Sequence, residues 1–188
     1  MQIKSKKRVS EFGEVFTAQK QVSDMVDLIS DTVSELSSTV FEPACGTGNF
    51  LVEILKRKLS LINYTVPIEM QLLLAVSSMY GVDIQNDNVE ECRQRIMIII
   101  LSLKPYWTQS FKNTLSIILK HNIICGDTLM MSDRKGNPIV IPEWIIRDNG
   151  TLIRKDVLLS DMINNNGEST AYTRKQYYRW DDSYLASA

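Results

Sequence analysis

The 188-residue chain carries 21 Lys and Arg against 22 Asp and Glu, a formal charge of -1, with 44% hydrophobic and 8% aromatic residues. These figures describe a soluble globular chain with apolar material for one core, and they exclude extended disorder, collagen-like repetition and a disulfide scaffold. A single histidine, His121, leaves almost no material for a zinc site or a Ser/His/Asp triad, so no metal is expected.

Val22, Met25, Val26 and Ile29 follow the i, i+3, i+4, i+7 spacing of an amphipathic helix, predicted from about Lys20 toward Leu36. Thr39, Val40 and Phe41 form a short buried strand that stops at Glu42-Pro43-Ala44-Cys45-Gly46-Thr47-Gly48, and helical spacing resumes from Asn49. A helix over Pro67 to Ser77 leads to a second strand, Tyr80 to Ile84. The stripe Val89, Cys92, Ile96, Ile99 and Leu103 predicts a helix up to Pro105. Phe111, Leu115, Ile118 and Leu119 predict another, before a third strand at Asn122 to Cys125 that closes on Gly126 and Asp127. Strands alternating with helices imply a parallel sheet with helices on both faces.

The pattern changes after Asp127. Two apolar runs, Pro138 to Pro142 and Trp144 to Ile146, precede Asp148-Asn149-Gly150, a hairpin-type turn signal, and predict a β-hairpin. Asn164 to Gly167 reads as a loop, and the end of the chain holds Tyr172, Tyr177, Tyr178, Trp180 and Tyr184. That aromatic stretch suits a packing element, a partner-docking segment or a base-stacking one. Arg93 to Lys120 contains five bases and no acid, which fits either a solvated helix face or contact with phosphates.

Cys45, Cys92 and Cys125, an odd number at wide spacing, fit reduced thiols and a cytoplasmic location. The apolar run Ile96 to Leu101 is far shorter than the ~20 residues that cross a bilayer, and no apolar segment of a secretory signal follows the Lys-rich start. No membrane partner is expected.

Three strand ends gather the candidate chemistry. Gly46 and Gly48 let the backbone turn tightly and approach a ligand, and the helix that follows offers free N–H groups. Leu51 occupies the position where a dinucleotide fingerprint has its third glycine, which argues against a bound pyrophosphate. Asp83 ends the second strand and suits the two hydroxyls of a ribose, with Ile84 beside it as an apolar face for a purine. Asp127 ends the third and suits an exocyclic amine. The three ends together describe a nucleoside pocket.

Phe41-Glu42-Pro43-Ala44-Cys45-Gly46-Thr47-Gly48-Asn49-Phe50 resembles motif I of the adenine-specific (N6) DNA methyltransferases of restriction-modification systems. Gly13 to Gln19 resembles their motif X, with Ala18 where the family usually has Pro; Gly81-Val82-Asp83-Ile84 resembles motif II and Gly126-Asp127-Thr128-Leu129 motif III. The ordered set covers residues 12 to 129. The resemblance implies an α/β, Rossmann-like fold dependent on S-adenosylmethionine, incomplete here, with an N-terminal helix and a C-terminal hairpin extension. It places the cofactor domain at 1–130 and the extension at 131–188. It also implies that Phe16 and Thr17 hold the methionine moiety, with Glu42, Pro43, Ala44, Gly46, Gly48, Asn49 and Phe50 forming the loop around it. Asp83 would take the ribose, Ile84 the adenine face, and Asp127 with Thr128 the adenine amine. Taken singly, Thr17 also suits a helix cap, Gly48 a turn and Asp127 a loop acid.

The family's motif IV, a polar residue followed by Pro-Pro and an aromatic, is missing: the sequence contains no Pro-Pro. Its nearest candidate is Asn137-Pro138, which lacks the second proline and the aromatic. The expectation is therefore the cofactor-binding part of a DNA adenine methyltransferase, acting on DNA through a complex with a second methyltransferase or specificity subunit. The alternatives are a non-catalytic S-adenosylmethionine-binding regulatory or decoy protein and, third, a small-molecule methyltransferase.

Overall fold

The computed structural model describes residues 8–10, 17–147, 150–164 and 174–179. Helix α1 (Gln19–Asp27) buries Val22 and Val26, and a single 3-10 turn (Ser30–Val33) follows it. The helix expected to reach Leu36 stops early because Ser30, Asp31 and Thr32 favour local side-chain bonding over helix propagation. Strand β1 (Val40–Glu42) leads through the glycine loop to α2 (Asn49–Leu59), and α3 (Ile68–Ser77) leads to β2 (Met79–Asp83). Helices α4 (Asn86–Leu101) and α5 (Gln109–Asn122) connect β2 to β3 (Ile123–Cys125). Thr108 caps α5 by accepting from Phe111 N–H at 3.1 Å.

The three strands form a parallel sheet in the order β1-β2-β3, with Phe41 opposite Tyr80 and Val82 opposite Ile124. One face carries Val40, Met79, Ile123 and Cys125 and joins the main core. That core takes Leu51, Leu55, Leu73, Val76, Cys92, Ile96, Phe111 and Leu115 from α2 to α5. The other face carries Phe41, Tyr80, Val82 and Ile124 and meets Ile139, Ile141, Val157 and Leu159.

This narrows the expectation of helices on both faces: α2 to α5 pack on one face, and the other meets Leu159 and Met162 of one short helix together with Ile139, Ile141 and Val157. Right-handed crossovers that step in one direction along a sheet deposit their helices on one side, and the order β1-β2-β3 never reverses. An antiparallel sheet reaches the second face through Ile141 and Val157 and the main core through Trp144, Ile146, Leu152 and Tyr178: β4 (Val140–Ile146), β5 (Thr151–Leu158) and β6 (Arg174–Arg179), in the order β4-β5-β6. The short helix α6 (Leu159–Asn164) continues β5. A hairpin is present, but both apolar runs feed the single strand β4, whose partner is β5, and a third strand extends it; Asp148 and Asn149 of its turn lie outside the described residues, as do Asn165 to Gly167, Tyr172, Trp180 and Tyr184.

Polar groups fix the junction of the two sheets. Tyr80 Oη donates to the Pro142 carbonyl at 2.8 Å. The buried Asn122 amide donates to the carbonyls of Val76, Ser77 and Met79 and accepts from Trp144 Nε1 at 2.6 Å. Arg154 pairs with Asp156 through two bonds of 2.5 and 2.8 Å and donates to His121 Nε2 at 2.6 Å. Burial first, and Arg154 second, push His121 down to about 4, so its ring is neutral and accepts. Among the described residues no helix is long and apolar enough to cross a membrane.

Candidate functional site

The carboxyl ends of β1, β2 and β3 lie side by side, as parallel pairing in register requires. At β1 the chain leaves through Glu42, with Pro43 and Ala44 exposed, and turns at Gly46 (φ 53°) and Gly48 (φ 86°), both in the left-handed region. Gly46 N–H donates to Asp83 Oδ2 at 2.9 Å, so the loop after β1 is tied to the end of β2. Asp83 Oδ1 accepts from Gln85 N–H at 2.8 Å and from Asn88 Nδ2 at 3.2 Å, while Oδ2 takes one bond and keeps a lone pair. Ile84 beside it is 43% exposed, a large apolar side chain open to a ligand.

Helix α4 supports this edge with one stripe, Asn88, Cys92 and Arg95, spaced i, i+4, i+7. Asn88 orients Asp83. Cys92 packs against Gly48, where an added Cβ would lie 2.4 Å from its Sγ. Arg95 donates to the Thr47 carbonyl at 2.6 Å and to Asn49 Oδ1 at 2.8 Å. Neither Asn88 nor Arg95 was expected at the site. Motif spacing carries no signal for them, although the helical period that selected Cys92 also puts both on its face.

The loop beyond β3 closes the other side. Asp127 Oδ1 accepts from Leu129 N–H at 2.9 Å and Met130 N–H at 3.1 Å, an Asx turn that matches the loop-acid reading of this residue. Thr128 Oγ1 donates to the Pro43 carbonyl at 2.7 Å and so links the β3 loop to the β1 loop. Thr17 comes to the opposite side, where its carbonyl accepts from Asn49 Nδ2 at 3.1 Å. The cap of α1 is Ala18, without a side-chain bond, so the capping reading of Thr17 does not hold. Phe16 lies outside the described residues. Phe50 packs half-buried against the main core.

Asn137 and Pro138 are exposed, and Asn137 is committed to a surface turn: its backbone N–H and Nδ2 both donate to the Asp133 carboxylate at 2.9 Å. The two Asn137 bonds also hold Asp133 below the usual carboxylate range. These bonds give Asn137 a structural role in the turn.

The electrostatics of the edge are unfavourable to negative charge. Burial pushes the Glu42 carboxyl up, and a backbone hydrogen bond from Ala44 only partly offsets that. The hydrogen bond with Cys92 and burial raise Cys45, and the nearby Asp83 and Glu42 charges add to the effect, so Cys45 is a neutral thiol rather than a nucleophile. All three cysteines are free. Among the described residues no group of acids, histidine and cysteines is arranged to hold a metal.

A glycine-turned loop tied to a strand-end acid stands at the carboxyl edge of a parallel sheet, the edge at which open α/β sheets bind ligands. The family model of the MmeI DNA-methyltransferase domain matches residues 13–139, more than half of the chain, and the chain belongs to that family. It is also 23% identical over 130 residues to a protein of Methanocaldococcus jannaschii provisionally named a type II restriction enzyme and methyltransferase. That match covers 64% of this chain and 11% of the relative. No solved structure matches the chain. The chain is therefore placed by its family, the MmeI DNA-methyltransferase domain, and it spans about a tenth of the curated relative it matches.

Proposed function

We propose that the chain is the S-adenosylmethionine-binding part of a DNA adenine N6-methyltransferase acting in the cytoplasm, with the motif that contacts the target amine, and DNA recognition, supplied by a partner chain. The observation that carries the cofactor reading is the Gly46–Asp83 bond: it joins the backbone of the glycine-turned loop to a carboxylate that keeps an acceptor position, with exposed Ile84 beside it. The residues fit the group. Asp83 would accept from the ribose hydroxyls, Ile84 would cover one face of the adenine, and the Asp127 oxygen not spent on its turn would accept from the adenine amine. Gly46 allows close approach to the methionine end, which Glu42 faces with a carboxyl whose burial a ligand ammonium would offset. S-adenosylmethionine supplies an electrophilic methyl on a sulfonium.

Adenine as the base and a partner as the source of motif IV rest on the sequence resemblance and on the missing Pro-Pro. The missing Pro-Pro also supports a second reading, a cofactor-binding protein without transfer activity.

Two measurements separate these. Calorimetric titration with S-adenosylmethionine should give binding that Asp83→Asn weakens strongly while thermal unfolding stays cooperative; equal affinity in the variant overturns the pocket assignment. Radiolabelled methyl transfer to adenine-containing DNA should be negligible for the chain alone and should appear with the product of a neighbouring gene that carries motif IV. Turnover by the chain alone removes the need for a partner, and none under either condition supports the binding protein.

A further inference from the structure

Asn49 uses both ends of its side-chain amide. Oδ1 accepts from the Arg95 guanidinium at 2.8 Å, and Nδ2 donates to the Thr17 carbonyl at 3.1 Å. The same Arg95 nitrogen donates to the Thr47 carbonyl at 2.6 Å and lies 3.3 Å from Thr47 Oγ1. A guanidinium has donors only, so it decides which end of the amide faces α4, and a flipped amide would set N–H against N–H. The remaining donor is thereby aimed at Thr17. One side chain on α4 thus fastens two segments far apart in sequence, the glycine loop and the chain entering α1 at Ala18.

We propose that Arg95 is a positioning residue for the amino-acid end of the cofactor, acting through Asn49 to set the distance between the glycine loop and Thr17. The inference rests on the reading of this edge as an S-adenosylmethionine pocket. On that reading Asp83 and Ile84, at the end of β2 and just after it, serve the nucleoside end, and the Arg95–Asn49–Thr17 chain bonds neither of them. Loss of Arg95 should therefore weaken one end of the ligand and spare the other.

The test titrates the full chain with S-adenosylmethionine and with 5′-methylthioadenosine, which keeps the nucleoside and lacks the amino-acid end. Arg95→Ala should weaken S-adenosylmethionine about tenfold or more while methylthioadenosine changes by less than about twofold, the size expected for losing charge-assisted bonds at one end. Arg95→Lys should recover part of the loss, because an ammonium reaches fewer of the three acceptors in this geometry. Asn49→Asp is the decisive variant. It keeps a partner for Arg95 but turns an oxygen toward the Thr17 carbonyl, so it should reproduce the selective loss without loss of stability. In the ligand-free chain, amide exchange at Thr17 to Val22 should quicken in Arg95→Ala and Asn49→Asp alike. Equal weakening of both ligands, or unchanged affinity in Asn49→Asp, overturns the proposal while leaving the pocket standing. If the wild-type chain binds neither ligand, the pocket reading fails with it. If Arg95→Ala does not fold, Asn49→Asp alone decides.

Discussion

Gly48 and Cys92 touch so closely that a Cβ at position 48 would lie 2.4 Å from the Cys92 sulfur and 3.1 Å from its Cβ. The second glycine of the loop therefore serves helix packing: it lets α2 start directly against α4, and its φ of 86° adds a second reason for glycine. Gly48→Ala should destabilise the chain by about 2–4 kcal/mol, the sum of a left-handed alanine and an overpacked contact. Adding Cys92→Ala should return the packing share and leave the backbone share. Denaturant unfolding of the single and double variants checks this, and a Gly48→Ala midpoint equal to wild type would sink it.

Glu42, a candidate site residue, works against stability. Burial raises its carboxyl, so the folded chain holds this proton more tightly than the unfolded chain does. The stabilising contribution of the protonated form is complete below the ordinary carboxylate range and is lost as pH rises through the raised value. Near neutral pH the buried charge is a burden. Glu42→Gln should raise the melting temperature at pH 8, change it little at pH 4, and weaken S-adenosylmethionine. A variant that melts lower at pH 8 would contradict the assignment.

The parallel sheet and its four helices are legible in the sequence because each signal is local: apolar spacing for α2 to α5, β-branched runs for the strands, and glycines and acids where strands end. What covers the second sheet face is not local. Phe41, Tyr80, Val82 and Ile124 announce a buried face but not its partner, because Ile139, Ile141, Val157 and Leu159, which meet it, come from a separate stretch of the chain. The site divides the same way. Gly46 and Asp83 stand in recognisable motifs, whereas Arg95 is one base in an acid-free run and becomes a loop anchor only when α4 lies against the loop. Lys58, one of three consecutive bases, reads as a solvated helix end and is fully buried.

Asn122 is where the two sheets depend on each other. Its amide satisfies three carbonyls around the α3–β2 junction and accepts the Trp144 indole N–H at 2.6 Å. Asn122→Leu keeps the bulk and strands all of these buried groups, so it should cost about 3 kcal/mol or more. Trp144→Phe removes the indole donor alone and should cost about 1 kcal/mol. Denaturant unfolding followed by near-ultraviolet circular dichroism checks both, and an Asn122→Leu chain as stable as Trp144→Phe would show that the carbonyls find other donors.

Lys58 gives the chain a pH dependence of the opposite sign to Glu42. Its ammonium donates to the Leu36 carbonyl at 2.8 Å and to the Ser38 carbonyl and Ser78 Oγ at 2.6 Å, with no carboxylate among these partners. Burial pushes it down to about 8 from an ordinary 10.5. Between those values the unfolded chain binds more proton than the folded one, so stability rises with pH; below about 8 the burden is constant. Tyr80, raised by burial and by Glu143, acts in the other direction above its ordinary 10.0, which leaves pH 8 to 10 as the clean window. There the wild-type unfolding free energy should climb by up to about 1.4 kcal/mol per pH unit. Lys58→Met should remove that slope, though it lowers stability throughout by leaving the three acceptors without their donor. Denaturant midpoints for both chains across the window check this, and parallel slopes would place the proton on another group.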